Sequence, residues 1–393
     1  MSPQLDAVVD TYLEFYGSEP AYVTMAPGRV EFLGNHTDYN GGCVLGMPLS
    51  LGVYAGISER EDKKIRLVSK DERSEQSPIE IDFQSFELFQ PGDPNRWANY
   101  PLGVLRAITD RGIAMKRGFD IAFWSDLPAG AGLGSSAAIE LATVRAISIL
   151  YDLDIDDPAE IARVGRKAEN NYVGVPCGIF DQGVSAYGKK GHLVYVDAKQ
   201  ESFSDYGLPE MTQFWLFDTK VSHANMNSMY SLRNDECLKA LEVLEKTYSG
   251  INALCDLTSG QVEPCEADLS PAEFKRALHV TRENERVKQA MSLLMSSKAE
   301  TLGSLLYASH ESSRDLFENS IQELDTLVEL LKAQPEVYGA RLSGGGFGGM
   351  VLAWTSGAFI RDQAETVLAA YGEKFGTLPE AYPVESGEGA RIL

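Results

Sequence analysis

The segment that most restricts the fold begins with a short β-rich run, Phe119–Trp124 (FDIAFW), and leads straight into glycines. Gly130, Gly132 and Gly134 alternate along Pro128–Ala138 (PAGAGLGSSAA). From Ser136 to Leu150 the apolar residues Ile139, Ala142, Ala146 and Ile149 mark one helix face. Strand, glycine loop and helix in that order form an anion cradle. Glycines remove side chains where backbone N–H groups converge, and a helix N-terminus adds free donors and partial positive charge. Ser135 and Ser136 can cap the helix or offer a hydroxyl to Mg²⁺. No lysine follows the glycines, and GxGxxG is absent, so this is neither a Walker A loop nor a dinucleotide fingerprint.

Two further stretches carry chemistry. Ala26–Asn40 (APGRVEFLGNHTDYN) concentrates donors, acceptors and a cation between glycines, as a polyhydroxylated ligand requires. A carboxylate such as Asp38 can accept two hydroxyls at once, and a site built this way discriminates strongly against a missing one. His36 reads equally well as a structural histidine. His36 and Asp38 have the H-x-D form of a metal pair but no accompanying cluster. Gly344–Gly349 (GGGFGG) has more glycine than a hairpin needs, which argues for close backbone approach to a ligand or to another loop.

With 393 residues, the chain is too long for one ordinary core. The division is expected in the polar stretch between two strand-like runs, His192–Val196 and Gln213–Asp218. The expected domains are 1–205 and 206–393. Val44–Ile57, Lys64–Ser69, Gly339–Leu342 and Met350–Trp354 also read as strands. Met1–Tyr16, Tyr230–Tyr248, Ser270–Met295 and Leu324–Ala333 read as helices. Mixed elements in each half give α+β domains, not a doubly wound parallel sheet. The net charge of −22 excludes a nucleic-acid partner but not a locally held nucleotide. Five scattered cysteines without a CxxC pair, no leader-like start and no long apolar run predict a cytoplasmic protein without disulfides or a membrane span.

Taken together, the three loops resemble the GHMP kinases, and Gly28–Tyr39 (GRVEFLGNHTDY) is similar to the galactokinase pattern G-R-x-N-x-I-G-E-H-T-D-Y. Further matches are Trp97–Tyr100, Pro176–Gln182, Tyr230, Ser309-His310, Arg314-Asp315 and Tyr338–Gly349, so the resemblance spans nearly the whole chain. It implies a two-domain fold with the active site in the interdomain cleft. The implied activity is transfer of the γ-phosphate of ATP to the anomeric hydroxyl of galactose by a monomer. Asp181 falls on the position proposed as base toward the sugar hydroxyl, and Arg29 on the arginine facing it; that arginine favours the aspartate's charged form. Asn35, His36, Asp38, Gly178 and Tyr230 fall on sugar-contacting positions. Gly130, Gly132, Leu133, Gly134, Ser135 and Ser136 fall on the phosphate wrap, Trp97 near the adenine pocket, and Ser136 and Glu169 near Mg²⁺.

Two positions depart from that pattern: Asn35 stands in place of glutamate, and Glu31 in place of asparagine. An uncharged Asn35 is expected to relax selection at the sugar's C6 end, leaving a kinase for a C6-modified galactose such as galacturonate as an alternative. A second alternative is a non-catalytic galactose and ATP sensor; the intact Gly-Ser loop, Arg29 and Asp181 argue against it.

Overall fold

The computed structural model describes residues 2–70, 77–113, 115–128, 130, 132–222, 226–295 and 299–393. Met1, Ala129 and Ala131, which belong to segments read above, lie outside them.

The chain starts with helix α1 (Pro3–Tyr16), capped by Ser2 at one end and by left-handed Gly17 at the other. There follow β1 (Tyr22–Leu33), β2 (Cys43–Glu59), β3 (Lys64–Ser69), β4 (Ile79–Asp82), α2 (Asn99–Thr109), β5 (Phe119–Ser125) and α3 (Ser135–Leu150). Next come α4 (Pro158–Ala168), α5 (Phe180–Tyr187), β6 (His192–Asp197) and β7 (Ser202–Gly207). The second half runs β8 (Thr212–Ser222), α6 (Met226–Leu244), α7 (Ser259–Val262), α8 (Pro271–Leu294), α9 (Ala299–Ser312) and α10 (Gln322–Lys332). It ends with β9 (Val337–Ser343), β10 (Gly348–Ser356), α11 (Arg361–Phe375), β11 (Glu380–Val384) and β12 (Arg391–Ile392).

The strands form two sheets. The first is ordered β12-β1-β2-β5-β3-β4, and the long β2 also pairs its opening residues with β6, which in turn pairs with β7. The second is ordered β11-β8-β10-β9. Helices α2 to α5 cover one face of the first sheet around Leu141, Ile121 and Phe123. The opposite face of β1 and β2, carrying Val30, Phe32 and Met47, meets Leu216 and Trp354 of the second sheet and Val287 of α8. Helices α10 and α11 close the far side of the second sheet. Period-two alternation on β1 therefore commits Val30 and Phe32 to this core and turns Arg29 and Glu31 to the other side.

Two readings change. Residues 26–33, read as part of a loop, are strand β1; the glycine and proline there coincide with a shift in register between Pro27 and Arg29. The polar stretch after β6 is the edge strand β7, where exposed positions mask its pairing, and the expected division at 205/206 lies inside it. The last strand returns to the first sheet, where Thr24 pairs with Ile392. Among the described residues no helix is long and apolar enough to cross a membrane.

Candidate active site

A cavity of about 170 Å³ opens between the two halves of the molecule. From the first half, Arg29, Asn35, His36, Asp38, Gly178 and Asp181 line it; from the second, Tyr230, Gly344 and Gly345 do. Its volume is well below the roughly 300–1,000 Å³ of drug-sized ligand sites, which suits a single small polar molecule.

At one end, Arg29 and Asp181 form a bidentate pair. Nε donates to Oδ1 at 2.7 Å and Nη2 to Oδ2 at 2.5 Å. Asp181 enters from the first turn of α5, and the guanidinium lies over the Phe180 ring. Desolvation opposes the Arg29 charge, but Asp181 outweighs it and holds the group protonated. Arg29 also reaches the glycine loop: Nη1 donates to Gly132 O at 2.6 Å, and its backbone N–H donates to Leu133 O at 2.8 Å.

In that loop Gly130, Gly132 and Gly134 all have positive φ, of 71°, 69° and 73°. Gly134 is the N-cap of α3 and bonds through no side chain, so neither serine caps the helix. Ser136 instead hydrogen-bonds Glu169, a buried carboxylate raised by desolvation and by Asp181. Glu169 also accepts from Gln182 Nε2 at 2.7 Å, and the same amide donates to buried Glu140 at 3.0 Å. A hydroxyl and a carboxylate are hard oxygen donors, and Mg²⁺ characteristically takes one or two such protein ligands beside substrate phosphates, so the pair fits that ion. Trp97 stands apart from the cavity, in a turn before α2; its Nε1 is buried without a partner among the described residues.

The polar segment after β1 is tightly held. His36 adopts φ 61°, with Nδ1 2.8 Å from the Tyr39 hydroxyl and Nε2 3.2 Å from Gly345 O. Its ring stacks on Phe317, and burial lowers its pKa to about 3, so the imidazole is neutral. Both ring nitrogens therefore have protein partners. Asn35 is equally occupied, through Glu31, Gly344 O, Ser313 and Asn319. Asp38 differs: desolvation first, and then Asp181 and Glu31, push it up to about 7. A Cβ on Gly178 would sit 2.0 Å from Asp38 Oδ2, so only glycine admits that carboxylate. Tyr230 closes the cavity from α6, its ring 5.6 Å from that of Tyr39.

Sequence reasoning left Glu31 without a place. It lies on the cavity wall, 2.7 Å from Arg341 Nη1. Its exchange with position 35 was the available signal. Arg341 and Asn319, far along the chain, gave none.

The fold is that of the GHMP kinases. Models for the GHMP kinase N-terminal and C-terminal domains match residues 99–189 and 290–376. The mevalonate kinase of Methanococcus jannaschii superposes with a TM-score of 0.65 at 17% identity, over 93% of this chain and 98% of that one. A galactokinase galactose-binding signature matches residues 10–59. The galactokinase of Clostridium perfringens is 34% identical across 99% of this chain and 100% of its own. That of Enterococcus faecalis is 36% identical across 99% of both. The galactokinase of Lactococcus lactis, solved in complex with galactose, gives a TM-score of 0.93 at 29% identity, over 99% of this chain and 100% of that one. The chain belongs to the galactokinase family.

Proposed function

We propose that this protein transfers the γ-phosphate of ATP to the anomeric hydroxyl of galactose, giving galactose 1-phosphate. The observation that carries this reading is the position of Arg29, which grips Asp181 in the sugar-sized cavity and the Gly132 carbonyl of the phosphate-type loop at once. Full-length similarity to galactokinases supports the substrate pair.

In this reading Asp181 orients the C1 hydroxyl and takes its proton as the hydroxyl loses it, while Arg29 supplies positive charge beside the transferring group. Such chemistry depends chiefly on positioning and electrostatics. Asp38, with Gly178 making room for it, accepts ring hydroxyls. His36 and Asn35 shape the wall, and Tyr230 packs against it from the second half. Gly130 to Ser136, Leu133 included, wrap the phosphates, and Trp97 lies toward the adenine. Ser136 and Glu169 would hold Mg²⁺, which when bound neutralises phosphate charge. The five unpaired cysteines suit a reducing cytoplasm, and we read the protein as a monomer. ADP release measured across a panel of monosaccharides tests the assignment. Galactose should be the preferred acceptor, and phosphate should appear at C1; preference for another sugar would sink it.

A further inference from the structure

Positions 31 and 35 hold an acid and an amide, and the two side chains touch: Asn35 Nδ2 donates to Glu31 Oε1 at 2.9 Å. Relative to the galactokinase pattern quoted above, the pair has exchanged members. The negative charge has moved from the loop onto strand β1, while the local composition stays the same.

The surroundings fix this arrangement. The Asn35 amide spends its N–H groups on Glu31 and on Gly344 O at 2.8 Å, and its Oδ1 accepts from Asn319 at 3.0 Å and Ser313 at 3.3 Å. Little capacity remains for a ligand. Glu31 accepts from Arg341 Nη1 and from Asn35, both at Oε1. Among the described residues Oε2 has no protein donor. Glu31 lines the cavity, and Arg341, fully buried behind it, balances its charge. Arg29 and Glu31 are two apart on one strand, so they occupy one face roughly 7 Å apart. Arg29 and Asp181 mark the reacting end, and Glu31 stands one strand step away from it.

We propose that Glu31, not Asn35, is the specificity-determining carboxylate of the sugar pocket. It accepts a hydrogen bond from a hydroxyl at the ring end remote from the anomeric carbon, and it excludes ligands carrying a carboxylate there. This inference rests on the sugar-kinase reading above. It overturns the expectation that an uncharged Asn35 relaxes selection at C6, because the charge is relocated and not lost.

The test compares kcat and KM for galactose, 6-deoxygalactose and galacturonate. The parent is assayed first, and absence of galactose turnover there would defeat the sugar-kinase reading itself. Glu31→Gln keeps the shape and removes the charge. It should raise KM for galactose about tenfold with a smaller change in kcat, narrow the preference for galactose over 6-deoxygalactose, and raise the galacturonate-to-galactose ratio of kcat/KM by about tenfold, a modest like-charge effect. Asn35→Glu puts a second carboxylate against the first and should weaken galactose binding about tenfold or more. The exchange Glu31→Asn with Asn35→Glu restores one charge per pair. It should return both affinity and selectivity to within about threefold of the parent, a rescue expected only of directly coupled side chains. If Glu31→Gln fails to fold with Arg341 unpaired, the other two variants still decide. An unchanged galacturonate ratio in a folded Glu31→Gln protein would overturn the proposal. So would galactose binding in Asn35→Glu as tight as in the parent, or an exchange that fails to rescue.

Discussion

The two walls of the cleft are built differently. On the sugar side, polar side chains are buried and already paired: Thr37 Oγ1 lies 2.7 Å from both Gly34 O and Cys43 O, and Asn40 donates to His36 O at 2.8 Å. On the proposed phosphate side, Gly130 and Gly132 would meet nothing within 4 Å among the described residues if a Cβ were added. That loop is tied down near its end, through Arg29 to Gly132 and Leu133. In the proposed reading, the contrast teaches that the sugar wall carries selectivity as preorganised geometry, while the phosphate loop offers backbone donors that a ligand must complete. Arg29 is common to both walls, so damage at its partner should be the least local.

The largest effect is expected from Asp181→Asn. The substitution removes a charge from the bidentate pair and leaves Arg29 facing a neutral amide. We expect kcat to fall by about 10²-fold or more, the scale of a positioned acid–base group, with a much smaller change in galactose affinity. Rapid-mixing and steady-state assays on the folded variant check this. Turnover within a few fold of the parent would remove Asp181 from the chemistry.

A paired substitution separates the walls. Gly178→Ala puts a methyl 2.0 Å from Asp38 Oδ2 and 3.0 Å from its Cβ, so the carboxylate must move. Gly134→Ala combines a left-handed backbone with a contact 3.1 Å from Arg29 Cγ, at a cost of about 1–2 kcal/mol. The first should raise KM for galactose by about tenfold and spare ATP. The second should raise KM for ATP about tenfold and affect galactose less. Equal effects on both substrates in both variants would mean that the two walls are not separable.

The same division explains what was legible in the sequence. The glycine loop is local information: FDIAFW, three spaced glycines and an amphipathic helix follow one another, and β5, the loop and α3 lie where expected. The sugar wall was legible as a list of residues but not as a structure. Arg29 and Glu31 belong to a strand that Pro27 and Gly28 disguise, and their orientation follows from Val30 and Phe32 entering the intersheet core. Glu31 takes its meaning from Arg341, 310 positions away, and Asn35 from Asn319, 284 away. No local pattern encodes such pairings. Polar SFSDYG concealed β7 because an edge strand can expose alternate positions and still pair.

The smallest effect concerns protons on the sugar wall. Asp38 has few partners there: it accepts from the Tyr39 backbone, while desolvation and its neighbours Asp181 and Glu31 raise it to about 7 and Arg29 pulls it back. A raised carboxylic acid pKa has two consequences of opposite sign. Without ligand, the folded state binds a proton that the unfolded chain releases near pH 4, so this contribution to stability is lost as pH rises toward 7. Hydroxyl recognition needs the carboxylate, so galactose binding should strengthen as pH rises from 6 to 8, with KM falling several-fold and at most about tenfold per unit below the pKa. His36 contributes nothing in that range, since its pKa is about 3. In Asp38→Asn, KM should be higher and nearly flat over the same range, while KM for ATP stays unchanged in both proteins. A parent KM for galactose that is flat between pH 6 and 8 would place the acceptor elsewhere on the wall, with Glu31, paired with Arg341, as the remaining carboxylate.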